Sequence, residues 1–255
     1  MKIIISSDTP SRFAAKQLWN QLLGAKRSKQ IIQYCTILIM TESKRVIRTY
    51  LTLTLLATLS SSLIWGINTL FLLDAGLSIT QAFAANAFFT VGQVLFEVPT
   101  GVIADLRGRR LSYLLGTITL FITTLLYFVL WQVGGPFWAW ALISAFLGLG
   151  FTFFSGAVED WLVDALKATN NKIPLESVFA KGQIVTGIAM LTGSVAGGLI
   201  AQVTSLGVPY IIRGMLLLVT LFVATALMHD IGFKPEKSTK PLKQIKSIFN
   251  ASIEH

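Results

Sequence analysis

The chain has 255 residues, of which 53% are hydrophobic and 13% charged, with a net charge of +9. A water-soluble domain needs roughly 25% charged residues to cover its surface, so a mean hydropathy of +0.68 excludes an ordinary soluble enzyme, and a pI near 9.8 does not by itself point to nucleic acid. The lone Cys35 excludes an intrachain disulfide or thiolate metal cluster, and His229 and His255 lie at or beyond the last apolar segment, so no catalytic, metal or cofactor site is expected.

Residues 1–48 form a basic segment without the charge, apolar core and cleavage-site order of a signal peptide. Ala15, Leu18, Trp19 and Leu22 recur at helical spacing and suit a helix lying on a membrane surface; alternatively, translation starts at Met40. Six apolar segments follow, near 49–72, 80–104, 111–132, 137–158, 183–203 and 209–228. Each has roughly the 18 or more residues that cross a hydrocarbon core about 30 Å thick as a helix. Residues 49–228 are therefore expected to form an all-α bundle of six transmembrane helices. In the basic tail, 229–255, Leu242, Ile245, Ile248 and Phe249 share one helical face, which suits either a short helix on an anionic leaflet or a solvated tail.

The positions of the basic residues orient the bundle. Nine precede the first span, and Arg107, Arg109 and Arg110 lie between spans two and three. Lys167, Lys172 and Lys181 lie between spans four and five, and five lysines follow span six, which places 20 of 21 on one side. The opposite loops, near 73–79, 133–136 and 204–208, hold none, and Arg213 stands apart just inside span six. This bias places both termini in the cytoplasm of a multi-pass protein of the cell (inner) membrane.

Polar residues inside the spans come next, because each needs a partner away from lipid. Thr54, Thr58, Ser61, Trp65 and Asn68 in span one step by threes and fours. So do Asn86, Thr90, Gln93, Glu97 and Gly101 in span two, and Ser144, Gly148, Thr152, Ser155 and Glu159 in span four. Each set forms a stripe on one helix face. The Ser, Thr and Gly members read as contacts between helices. Trp65, Asn68, Asn86 and Gln93 are larger and read equally as the lining of a solute pathway. Glu97 is the costliest, at about 2.5–3.5 kcal/mol for a carboxylate deep in a span. It either couples a proton or answers the Leu95 carbonyl, which Pro99 leaves without its helical donor. In span five, Gly193 and Gly197 form a GxxxG pair beside Gly198, permitting close helix packing.

The loop GVIADLRGRR, residues 101–110, resembles the signature G-x-x-x-D-R-x-G-R-R/K of the major facilitator superfamily. Gly101, Asp105, Gly108, Arg109 and Arg110 match, Leu106 stands where the family usually has arginine, and Arg107 follows it. FLLDAGLSITQAF, FEVPTG and FSGAVEDWLVDAL resemble a common bacterial branch of the same family. The resemblance, over about residues 45–230, implies a transporter of two six-helix halves working by alternating access. It implies a cytoplasmic latch in which Asp105 is the acid and Arg109 faces Glu159 or Asp164. Two departures stand out: span four lacks the family's proton-linked arginine, and GSVAGG, 193–198, has Ser194 in place of the proline of the helix-five antiporter motif.

The chain ends after span six and so looks like the N-terminal half of that fold. The expected function is secondary transport of small solutes within the lipid bilayer. The expected partner is a second six-helix half, either a separate C-terminal half or a second copy. The rival reading is a non-transporting membrane assembly protein or a truncated remnant. Neither an enzyme nor a nucleic-acid binder is expected.

Overall fold

The computed structural model describes residues 42–154, 156–169 and 173–233. The expectations for Ala15, Leu18, Trp19 and Leu22, for Cys35 and Met40, for Ser155 and for residues 242–249 lie outside the described residues.

Among the described residues there are only helices and their connections: α1 Glu42–Trp65, α2 Asn68–Asp74, α3 Ile79–Arg107, α4 Arg109–Val133, α5 Phe137–Phe154, α6 Ala157–Ala168, α7 Leu175–Val203 and α8 Val208–Leu227. These make six segments long and apolar enough to cross a membrane. The number and order match the hydropathy reading. The helices α1, α3 and α7 run past the predicted spans because polar turns such as the one holding Glu176 and Lys181 extend beyond the apolar stretch. At about 1.5 Å per residue, the 29-residue α3 and α7 are each roughly 44 Å long, longer than the hydrocarbon core.

Two predicted spans are interrupted. Span one bends at Gly66 and Ile67 before α2. Span four breaks at Gly156, whose φ of 71° is left-handed, the region glycine adopts without steric cost, so that α6 leaves at a new angle. Sequence signals fix the other ends. Ser78 and Gln81 form a reciprocal capping box at the start of α3. Gly134, also left-handed, closes α4 with its N–H on the Leu130 carbonyl.

Backbones approach most closely at glycines. A Cβ at Gly148 would meet the Phe89 carbonyl oxygen and lie 2.8 Å from the Gln93 nitrogen, while one at Gly92 would strike the Ala145 backbone. This mutual contact joins α3 to α5. On α7, Gly193 lies against the Ser62 side chain and Gly197 against the Leu63 carbonyl. Ser62 also donates to the Ala189 carbonyl across this contact, at 3.1 Å. Gly198 is a correction to the expected packing triplet: a Cβ there would meet nothing within 4 Å, because it points away from α1. Ser194, in the proline position of the antiporter motif, donates to the Ser62 carbonyl at 3.5 Å.

Two hydrophobic clusters fill the bundle, one towards each end. Val46, Tyr50, Leu53, Tyr113, Trp161, Leu162 and Val178 belong to the cluster at the basic end. At the other end Phe71 is the hub, stacked on Tyr210 with ring centroids 3.9 Å apart and flanked by Tyr127, Trp131 and Trp140. The least covered spans are α7 and α3, with 17% and 22% of their most apolar windows buried, against 33–47% for the others. The spans α3 and α7 are therefore the ones most open to their surroundings.

Candidate functional site

Two features carry chemistry: the charged loop at the basic end and a cavity in the opposite half of the bundle.

The loop joins α3 to α4 through Gly108, whose φ of 105° is open to glycine but strained for other residues. Having no side chain, Gly108 cannot cap α4. The cap comes from Asp230, just beyond α8, whose Oδ1 accepts from the Arg110 backbone N–H at 2.9 Å. Arg110 also donates through Nη2 to the Thr225 carbonyl at 2.9 Å, in the last turn of α8, where the helix dipole favours a cation. Trp161 of α6 reaches the same corner, its Nε1 donating to the His229 carbonyl at 2.6 Å. Arg109 bridges two acids, with Nη2 2.8 Å from Asp105 and Nη1 3.3 Å from Asp160.

The expected pairing of Arg109 is thus corrected by one residue. It reaches neither Glu159 nor Asp164 but Asp160, because the break at Gly156 resets which face of α6 meets the loop. Glu159 is partly buried, and neither it nor Asp164 forms an ion pair among the described residues. Gly101 is exposed, with open space where a Cβ would be.

The cavity, about 330 Å³, opens between α1, α2, α3, α4, α5 and α8. Trp65, Asn68, Asn86, Thr90, Tyr127 and Arg213 are among its lining residues. Tyr210 donates to the Asn68 Oδ1 at 2.7 Å, and Asn68 Nδ2 donates to the Asn86 Oδ1 at 2.8 Å. These three residues form a chain of donors across α8, α2 and α3. The structure therefore gathers three predicted pathway residues, Trp65, Asn68 and Asn86, at one wall.

Gln93 and Glu97 are not in that wall. They lie nearer the loop on the long α3, where Glu97 is exposed and its carboxylate makes no bond among the described residues. The span-four stripe faces inwards. Ser144 bonds to Tyr127 and to the Trp140 carbonyl, Gly148 packs on α3, and Thr152 returns to the Leu149 carbonyl. Ser144 and Gly148 thus join α5 to its neighbours, while Thr152 bonds within α5.

Sequence reading passed over Asp230 and Arg213. Asp230 gave no local signal. Arg213 did, as the one basic residue off the charged side of the bundle, just inside span six. In the folded chain it is only 1% exposed.

The profile of the Major Facilitator Superfamily matches residues 50–253, most of the chain. The chain belongs to the major facilitator superfamily. An uncharacterized MFS-type transporter of Methanocaldococcus jannaschii is 22% identical over 162 residues, 64% of this chain and 40% of that protein. The match thus spans less than half of that relative's length. Membership in the major facilitator superfamily, with six apolar spans, makes this a multi-pass membrane protein and points to a transporter rather than an enzyme.

Proposed function

We propose that the chain forms the N-terminal half of a secondary transporter that moves small solutes by alternating access. The observation that carries this reading is the exposure of α3. The polar stripe of α3 leaves Thr90 exposed at the cavity and Glu97 and Gly101 exposed nearer the loop, with Asn86 and Gln93 partly covered. Polar groups left unpaired in hydrocarbon cost on the order of several kcal/mol each. A second six-helix half, from another chain or from a second copy, covers them and completes a solute site between the halves. The loop of Asp105, Arg109 and Asp160 supports the same reading. Partly exposed charge-assisted contacts at a membrane edge can break and reform as rigid bodies rock.

Both termini lie in the cytoplasm in this proposal, because the basic residues cluster on that side. In a Cys35→Ser background, an impermeant thiol reagent applied to intact cells should label Thr204→Cys and leave Arg107→Cys and Lys240→Cys untouched. Labelling of Lys240→Cys in sealed cells reverses the orientation.

The transport reading is tested by reconstituting the purified chain and measuring solute flux together with oligomeric state. The expected result is no flux from a monomer, and flux only when a second half or a second copy is present. Robust flux from a demonstrated monomer sinks the two-half arrangement. No flux in any assembly would instead leave a membrane assembly protein.

A further inference from the structure

Among the described residues, Arg213 is the one charged side chain lining the cavity. Its Nε donates to the Thr124 hydroxyl at 3.0 Å, and that hydroxyl is itself committed to the Leu120 carbonyl. Its Nη2 is buried and has no partner. Both ion pairs among the described residues belong to Arg109, so no carboxylate answers Arg213. Neither nearby phenol, Tyr127 bonded to Ser144 or Tyr210 bonded to Asn68, forms a hydrogen bond with Nη2. Arginine keeps its proton in a protein and has only donors to offer. A buried guanidinium held by a single neutral hydroxyl is therefore an incomplete arrangement.

The rest of the wall has the same polarity. The donor chain from Tyr210 through Asn68 ends on Asn86, whose amide N–H groups make no bond among the described residues and sit at the cavity. The Trp65 indole N–H, on a side chain 50% exposed, is likewise uncommitted among the described residues. Among the described residues no acidic side chain lines the space. Donors converge here with one net positive charge.

We propose that this cavity binds the carboxylate or phosphate group of an anionic solute, with Arg213 Nη2 as the charged anchor and the Asn86 amide as a second donor. The proposal rests on the transporter reading above and deepens it by naming the solute's chemical class. A structural role for Arg213, joining α8 to α4 through Thr124, accounts for Nε but leaves Nη2 unexplained.

The test uses the full chain carrying Cys35→Ser and Thr90→Cys, in phosphatidylcholine nanodiscs. Thr90 lines the cavity and makes no contact that the proposal needs. The thiol is reacted with an anionic and a cationic methanethiosulfonate, each rate being divided by its rate on free cysteine. A nearby unscreened positive charge should favour the anionic reagent by about tenfold. Arg213→Gln should abolish that preference, and Arg213→Lys should retain it.

Sodium succinate or sodium phosphate, at constant ionic strength, should protect the thiol, whereas neutral succinamide should not. Which anion protects better separates carboxylate from phosphate. If phosphatidic acid added to the discs removes the protection, a lipid headgroup competes for the anchor. Equal normalised rates for the two reagents, or protection by succinamide as strong as by succinate, overturn the proposal. If Arg213→Gln does not fold, the comparison of succinate with succinamide on the intact arginine still decides. Protection without flux in any assembly keeps the anion site and removes the transporter; flux without protection does the reverse.

Discussion

Replacing Gly148 with leucine is expected to abolish the folded bundle. The site has no slack, because what a side chain would meet is the α3 backbone itself, at the Phe89 carbonyl and the Gln93 nitrogen. Overpacking a well-filled core costs about 1–3 kcal/mol when side chains can shift, and more is expected where the obstacle is main chain. Gly92 faces the Ala145 backbone from the other side, so separating the helices to admit one methyl opens both contacts. Even Gly148→Ala should lower the melting temperature of the purified chain in detergent and move its gel-filtration peak towards aggregate. Gly198→Ala is the matched control: it meets nothing within 4 Å, and alanine is favoured over glycine inside a helix, so it should be neutral or slightly stabilising. If Gly148→Ala melts with the parent, the close α3–α5 contact is not what holds these spans together.

The second large effect is expected at Arg109, and in rate rather than stability. In whichever assembly supports flux, Arg109→Ala should slow transport by about tenfold or more, equivalent to about 1.4 kcal/mol on the rate-limiting step. Solute affinity and membrane insertion should stay nearly unchanged. The partners Asp105 and Asp160 have side chains 38% and 52% exposed, and ion pairs that wet contribute only about 0–1 kcal/mol to stability. Such contacts suit a latch, which must open repeatedly. Asp105→Asn and Asp160→Asn should each give part of the defect. Arg109→Lys should fall in between, because an ammonium keeps the charge but cannot present the fork that reaches two acids. Initial rates and equilibrium binding on the same preparations decide the matter. Binding lost in proportion to transport would place Arg109 at the solute rather than at a latch.

Much of this architecture was legible from residue order. Six apolar stretches separated by loops that alternate between basic and free of Lys and Arg gave the spans and their number. Trp65, Asn68 and Asn86, singled out as polar positions within the spans, meet at one wall through the packing of α1, α2 and α3. What failed to show depended on contacts between distant segments or on single dihedral angles. The turn at Gly156 changes the face of α6 that meets the loop, so the partner of Arg109 became Asp160 rather than Glu159 or Asp164. The stripe on α3 read as one surface, yet a helix of 29 residues passes through more than one environment, which separates Gln93 and Glu97 from Asn86. The four-residue spacing from Gly193 marks Gly197, and the position of α1 gives that residue the contact while Gly198 meets nothing within 4 Å. The burial of Arg213 depends on Thr124, 89 residues away in the chain.

The cap that Asp230 places on α4 bears on how the polypeptide matures. The Arg110 N–H waits for an acceptor 120 residues further along. During synthesis, then, the bend at Gly108 emerges and inserts while the start of α4 is still satisfied only by water. It takes its final form after the sixth span has been made and the chain has turned back to the same side. The signature loop thus behaves as a clasp fastened last. A polypeptide stopped at Leu227 would hold all six described spans and still lack the acid that closes the loop. Fusion partners, tags or cleavage sites placed between Leu227 and Asp230 would separate a nascent chain that has inserted from one that has finished folding.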